Sequence, residues 1–544
     1  MTDRDSLKGW IQDMAVLIEQ NAEPDPHHYT PFLKEPELSL RLVELIEDLE
    51  DDEEKEGQFY YSACVFALDI CVAQLQSAEE NGSKQAGKIL NQLMSLLAKA
   101  IRSGKQSLSF WLPVLNAFYE VHVELSSELK EAYLDLAGQE EELSVEEEGD
   151  HLNTMRDMLS ELSDLSDFDV AENFFAQSYA MPADFFTDLI FDLYSIEEGN
   201  DIALLALLHP KQDVREVVLA TLEQLMDNIT LSSIALSRLQ TIKDWYPASY
   251  HAQFNRWIKL QRKKGVIFSK AKPLKIVSIK ASEIDGGGAQ GIFIHLKKGK
   301  KHRLSGLLFK ENFGVKDAWI TPEVNADEID KYYVEAFDDS ITLREVDASY
   351  LGMLTNHFLE VSIRCRGIPH LHLLELQEAI GLHFNPIPLD IPYLMDFLSI
   401  QIAPFTAEEM ELSFKRSKKW AKNKRFAESW YIESAEVDKL VNRRCTIVDG
   451  IKICALEEAM DDVFERPFET HRDKWLFHFL WTALWARAKA HKNEKIWQDS
   501  FFVAYTIYQG KPLKSIPIMQ EICNQTVLNS IETMQERRTY LNKE

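Results

Sequence analysis

Between residues 274 and 309 the apolar side chains fall at every second position, whereas nearly everywhere else in this 544-residue chain they recur at spacings of three and four. A strand turns successive side chains to opposite faces, and a helix returns to the same face every 3.6 residues, so one element cannot satisfy both periods. The chain is therefore expected to be mainly α, with one small antiparallel α+β module set among helices. Residues 274–284, 291–296 and 302–309 read as its strands, and Gly-rich 285–291 (DGGGAQG) and 297–300 (KKGK) as the hairpin turns between them. A helix from Asn325, with Glu328 completing a capping-box pattern, and a strand at 341–346 close the module, whose edges fall at 265 and 346.

Before the module the pattern is helical. In an acidic domain, 1–138, Leu38, Leu42, Leu45, Ile46 and Leu49 form one stripe after Pro36. Residues 60–75 are apolar nearly all round, as in a helix buried by its neighbours, and residues 89–101 form another that stops at Gly104. The stretch 139–150 (QEEELSVEEEGD) is almost pure like charge, which repels itself and stays solvated, so 139–170 is expected as an acidic linker or arm. Met158, Leu162 and Leu165 there have the spacing of a weak helix or a docking motif.

Residues 171–264 read as stacked helices. In 202–226 (IALLALLHPKQDVREVVLATLEQLM) an apolar helix runs to a turn at His209 and Pro210, Asp213, Val214 and Arg215 open a second helix, and Val217, Val218, Leu222 and Leu225 supply its inner face. This run resembles a HEAT repeat, covering about one of the ~40-residue units that such arrays stack. The resemblance implies a helical-repeat scaffold with a concave face for a partner. After the module, Gly367 with Pro369, the cluster Pro386, Pro388 and Pro392, and Pro404 separate the helices of a C-terminal helical domain, 347–544, where Thr406 and Glu409 mark a capped start.

Charge divides the chain. Residues 1–255 hold 16 Lys+Arg against 49 Asp+Glu, a net −33, and the remainder carries +4. The acidic half repels nucleic acid and anionic lipid at long range, so a polyanion would meet the second half. Residues 256–317 alone hold 16 Lys+Arg against four acids, including Arg262, Lys263 and Lys264, and Lys297, Lys298, Lys300, Lys301 and Arg303. A second run, 414–426 (FKRSKKWAKNKRF), interleaves aromatics with cations, among them Lys418, Lys419 and Trp420. Cations that release counterions beside rings that stack on bases suit single-stranded nucleic acid; the same lysines also serve as a solvated face, with Phe414 and Trp420 packing inward.

Motifs for chemistry are incomplete. Gly286 to Gly291 satisfies GxGxxG, but Ile292, Phe293 and Ile294 continue as a strand where a dinucleotide or P-loop site needs a helix to open. His471, Arg472 and Asp473 carry kinase catalytic-loop letters without the Asn five residues on or a DFG. His370, His372, Glu375, Glu378 and His383 form the densest group of metal-ligand types, yet neither HExxH nor paired Glu-x-x-His helices occur. The six cysteines show no CxxC and no dense framework, which favours a reducing compartment, and Asp3, Asp5 and Asp13 do not suit a secretory leader. Residues 475–486, interrupted by His478, are half the length a bilayer needs.

The expectation is a cytoplasmic, non-enzymatic interaction scaffold with a protein partner, no cofactor and no membrane association. Two alternatives stand beside it. One is RNA or ribosome association through 256–316, and the other a metal-dependent hydrolase using His370, His372 and His383 with Glu375.

Overall fold

Two-residue alternation yields strands where it predicts them. In the computed structural model, β1 (Lys275–Ser282), β2 (Ala289–Lys298) and β3 (Lys301–Lys310) are consecutive antiparallel strands, joined by β4 (Gly314–Ile320) and β5 (Leu343–Glu345) in the order β4-β3-β2-β1-β5. The structure describes residues 3–20, 22, 24, 26–49, 55–80, 82–143, 151–269, 272–336, 341–365, 367–402, 405–420, 427, 429–448, 451–489 and 494–541. The chain forms two compact units, residues 1–206 with 212–222 and residues 207–211 with 223–544.

In the first unit the Lys55–Glu80 helix packs against the Asp3–Glu19, Ser39–Glu47, Lys84–Arg102 and Leu108–Glu120 helices. Gly57–Glu80 is long and apolar enough to cross a bilayer by length and composition. Here Cys64, Leu68, Cys71, Val72 and Leu75 are buried within the unit, as its all-round apolarity predicts. Ser83 and Ser107 cap the two following helices by accepting from Ala86 and Phe110 amides. The expected acidic arm is partly helical. The Ser127–Leu143 helix takes in its first residues, 144–150 lie outside the described residues, and the His151–Glu161 and Asp167–Gln177 helices follow. Met155 and Leu159 supply the buried positions of the first of these, not Leu165, which is 43% exposed. Ser166 and Asp169 form a reciprocal capping box on the second.

The helix–turn–helix pattern expected over 202–226 is met only in part. Its expected first helix is the four-residue Asn200–Ala203 followed by a 3-10 turn, Leu204–Leu208, and only the second half, Gln212–Leu225, is a full helix. The apolar stretch before His209 and Pro210 buries its side chains without helical length: all of 202–208 is buried.

The second unit is built on the sheet. The inner face of the sheet carries Ile279, Ala281, Ile292, Ile294, Leu296, Leu307 and Phe309, all buried. The Ala348–Arg364 and Arg472–Arg487 helices meet it: Phe358 stacks on Phe309 at 4.8 Å, and Trp485 donates its indole N–H to the Ala281 carbonyl at 3.2 Å. Inside this core Gln290 accepts from Tyr350 at 2.8 Å and Trp481 at 3.1 Å, and donates to the Ser282 carbonyl at 2.8 Å, so every buried dipole of that contact has a partner. The module therefore shares its core with the C-terminal helices. Residues 475–486, expected as a buried helix, are buried throughout. On the outer face the Ala326–Ala336 helix brings Tyr332 and Tyr333 over Trp319 and Phe293. Gly306 lies beneath Trp319, where any Cβ would stand 2.2 Å from the indole.

A second sheet, β6 (Cys445–Val448) with β7 (Ile451–Cys454), was not expected from sequence. Its register sets Cys445 opposite Cys454, and the two form a disulfide; a reducing compartment would hold the same pair as thiols.

Candidate functional site

The metal-ligand types of 370–383 are arranged by the Leu371–Ile380 helix. Nearly all its residues are buried, it packs on β4, and Gly381 ends it in the left-handed region at φ 66°. His370 is its N-cap and accepts from the His372 amide through Nδ1 at 3.4 Å. One turn in, His372 Nδ1 meets Glu375 Oε2 at 2.8 Å, as the i,i+3 spacing predicts. The other carboxylate oxygen accepts from Arg303 Nη2 at 3.0 Å, and Arg303 Nε donates to the Thr321 carbonyl at 2.6 Å.

Glu375 is thus held from both sides and orients the His372 ring. The His370 and His372 rings stack with centroids 5.3 Å apart, and each presents a nitrogen within 4.8 Å of the other. These two imidazoles are the groups here that could ligate a metal, two of the four positions a zinc site fills. His383 does not join them: it is exposed beyond the opposite end of a ten-residue helix, ~15 Å long. Glu378 is likewise engaged elsewhere, chelating Arg238 at 3.0 and 3.3 Å.

The basic candidates separate into surface and structure. Lys298 and Lys301 are paired across the end of β2 and β3, and with Gly299 at φ 61° and Lys300 they make an exposed cationic tip beside half-buried Lys297. Arg262 and Lys263 are exposed at the end of the His251–Lys263 helix, with Arg262 5.7 Å from the Phe268 ring. Three other candidates are engaged within the protein. Arg303 faces inward because its register partner is Leu296 on the inner face. The Lys264 ammonium donates to the Met226, Asp227 and Ile229 carbonyls, a cap on another helix end. Trp420 is 7% exposed and packs edge-on against Trp430 at 6.2 Å. In the same run Lys418 pairs with Glu521 at 3.6 Å and Arg416 with Asp499, Lys419 stays exposed, and 421–426 lie outside the described residues.

Two features escaped sequence reading. On the outer sheet face His295 Nε2 and His302 Nδ1 are 2.6 Å apart, and burial followed by the neighbouring His302 holds the His295 imidazole below its usual range. Their separation by seven residues around a turn was the available signal. The Ile391–Gln401 helix exposes Tyr393 (62%) and Ile400 (79%), with Phe397 stacked on Tyr393 at 6.0 Å and Ile387 (55%) just before it. The spacing i, i+4, i+7 marks one helix face.

Residues 392–531 match the model of the Y4lR C-terminal helical domain. Residues 182–265 match that of the Y4lR second domain. A curated relative, the uncharacterized protein y4lR of Sinorhizobium fredii (strain NBRC 101917 / NGR234), is 25% identical over 321 residues. The matched stretch covers 58% of this chain and 59% of the relative, so the chain spans less than two thirds of that protein's length. No solved structure matches.

Proposed function

We propose that the chain is an interaction scaffold that docks a protein partner on the face formed by Ile387, Tyr393, Phe397 and Ile400. The observation that carries this reading is the exposure of Tyr393 and Ile400 two turns apart on one helix, with exposed Ile387 shortly before it in the chain. Single exposed apolar residues are ordinary, but a contiguous row on one face is the kind of patch that marks an interaction site. Tyr393 and Phe397 add stacked aromatic area, the residue type that anchors interface centres. Arg487, 4.9 Å from the Phe397 ring, supplies a polar rim. Replacing Ile400 and Tyr393 by Asp would put charge in the middle of that face; loss of a stoichiometric partner with an unchanged thermal melt supports the reading, and retention of the partner refutes it.

A second reading is polyanion binding in the cytoplasm by the Lys298–Lys301 tip with Arg262 and Lys263. The supporting observation is that these cations are exposed, Lys298 in a loose surface pair with Glu323 at 3.9 Å, while Arg416 and Lys418 of the second run are held by Asp499 and Glu521. Lys298, Lys300 and Lys301 changed together to Glu should abolish RNA retention and flatten its salt dependence. Arg303 is left out of that variant because its loss would disturb the fold.

A further inference from the structure

Where the Ala435–Arg443 helix ends, the chain turns into the β6–β7 hairpin and returns as the Leu456–Val463 helix, which widens at once into a π-helical turn, Phe464–Phe468. Pro467, which lacks an amide hydrogen, sits inside that turn. Single π turns inside helices recur at functional sites. Between these elements lies a cavity of about 350 Å³ lined by Leu440, Arg443, Arg444, Asp462, Glu465 and Arg466. Its volume is at the lower end of small-ligand sites, roughly 300–1,000 Å³.

The three arginines are not equivalent. Arg444 is locked: Nε and Nη2 grip the two Asp462 oxygens at 2.7 and 2.9 Å, and Nη1 reaches Glu458 at 3.0 Å. Its charge is offset, and it serves as a wall. Arg443 and Arg466 are exposed, and among the described residues neither guanidinium makes a hydrogen bond or ion pair. Both are nevertheless near enough to add to the field at Asp462, whose carboxyl is held below its usual range by Arg444 first and then by Arg466 and Arg443. Two unpaired forks therefore face one cavity, with the Glu465 carboxylate, whose charge also acts on Lys514, beside them.

We infer that this cavity binds a small phosphate monoester, with Arg443 and Arg466 gripping the phosphoryl group and Glu465 accepting from a hydroxyl of the organic part. Two guanidinium forks present an array of donors and two positive charges to a single anionic group. A phosphoryl dianion presents three oxygens, and so takes two forks at once. The cavity volume and the Glu465 carboxylate on its wall favour an ester with hydroxyl groups over bare phosphate. This site is separate from both the apolar face and the lysine tip, and stands or falls apart from them.

The test is calorimetric titration of the full chain at low salt with glucose 6-phosphate, inorganic phosphate and glucose. The expected result is saturable 1:1 binding of the ester, tighter than phosphate, with none for glucose. Arg443→Gln and Arg466→Gln should each weaken it about tenfold or more. If either variant melts below the parent, Arg443→Lys and Arg466→Lys, which keep the charge and lose the fork, should weaken binding in the same direction. Binding unchanged in the double Gln variant, ester binding no tighter than phosphate, or binding of a single-stranded oligonucleotide but not of the ester would each overturn the inference.

Discussion

At the scale of single residues, His478 carries the sharpest pH dependence. It is fully buried between Trp430, at 4.4 Å, and Trp475, at 5.8 Å, and neither ring nitrogen has a hydrogen-bond partner. Burial, reinforced by the nearby Lys474 charge, pushes its imidazole down to about 3 from 6.5. A depressed histidine contributes stability that is complete above its unfolded value near 6.5 and lost as pH falls toward 3. At pH 4.5 most of that loss, a few kcal/mol, has already occurred. Urea unfolding of His478→Phe should therefore show a smaller drop between pH 6.5 and 4.5 than the parent; equal drops would count against the assignment. Glu311 runs the other way. Burial, opposed by Lys474, raises its carboxyl to about 7 from 4.5, so its contribution is complete below 4.5 and lost as pH rises through 7. Glu311→Gln should remove that decline from the stability profile.

At the scale of elements, the Arg303–Glu375–His372 chain staples β3 to the Leu371–Ile380 helix. Arg303→Ala leaves the Glu375 carboxylate, 7% exposed, with half its partners, and truncating one member of a buried pair costs about 3–5 kcal/mol. The measured quantity is the urea midpoint, and a change under ~0.5 kcal/mol would show the staple to be solvated. Gly306→Ala drives a methyl into Trp319 and should cost about 1–3 kcal/mol. These elements also show what the sequence carried. β1 and β2 were legible because buried and less buried positions alternate along them; β3, buried at four consecutive positions, 304–307, was legible from its apolar residues and the turn before it. β4 was not, because Lys316 and Asp317 are adjacent and break the alternation. The β6–β7 strands are four residues each, too short for a period to register. The His372–Glu375 contact followed from helix spacing, whereas the exclusion of His383 depended on where Gly381 ends the helix. Arg303 among lysines looked like surface, since a run of charge does not reveal which face each strand position takes.

At the scale of the whole molecule, the charge division and the exposed features of the second unit decide between partners. The lysine tip and the apolar row belong to different elements, so their effects can be separated by substitution. The most direct measurement is purification of the full chain at low salt, with and without nuclease, in the parent and in the Tyr393→Asp, Ile400→Asp double variant. The expected result is a nuclease-resistant protein partner in stoichiometric amount with the parent and absent from the variant. Co-elution that nuclease abolishes, or a partner retained equally by the variant, would contradict the scaffold account.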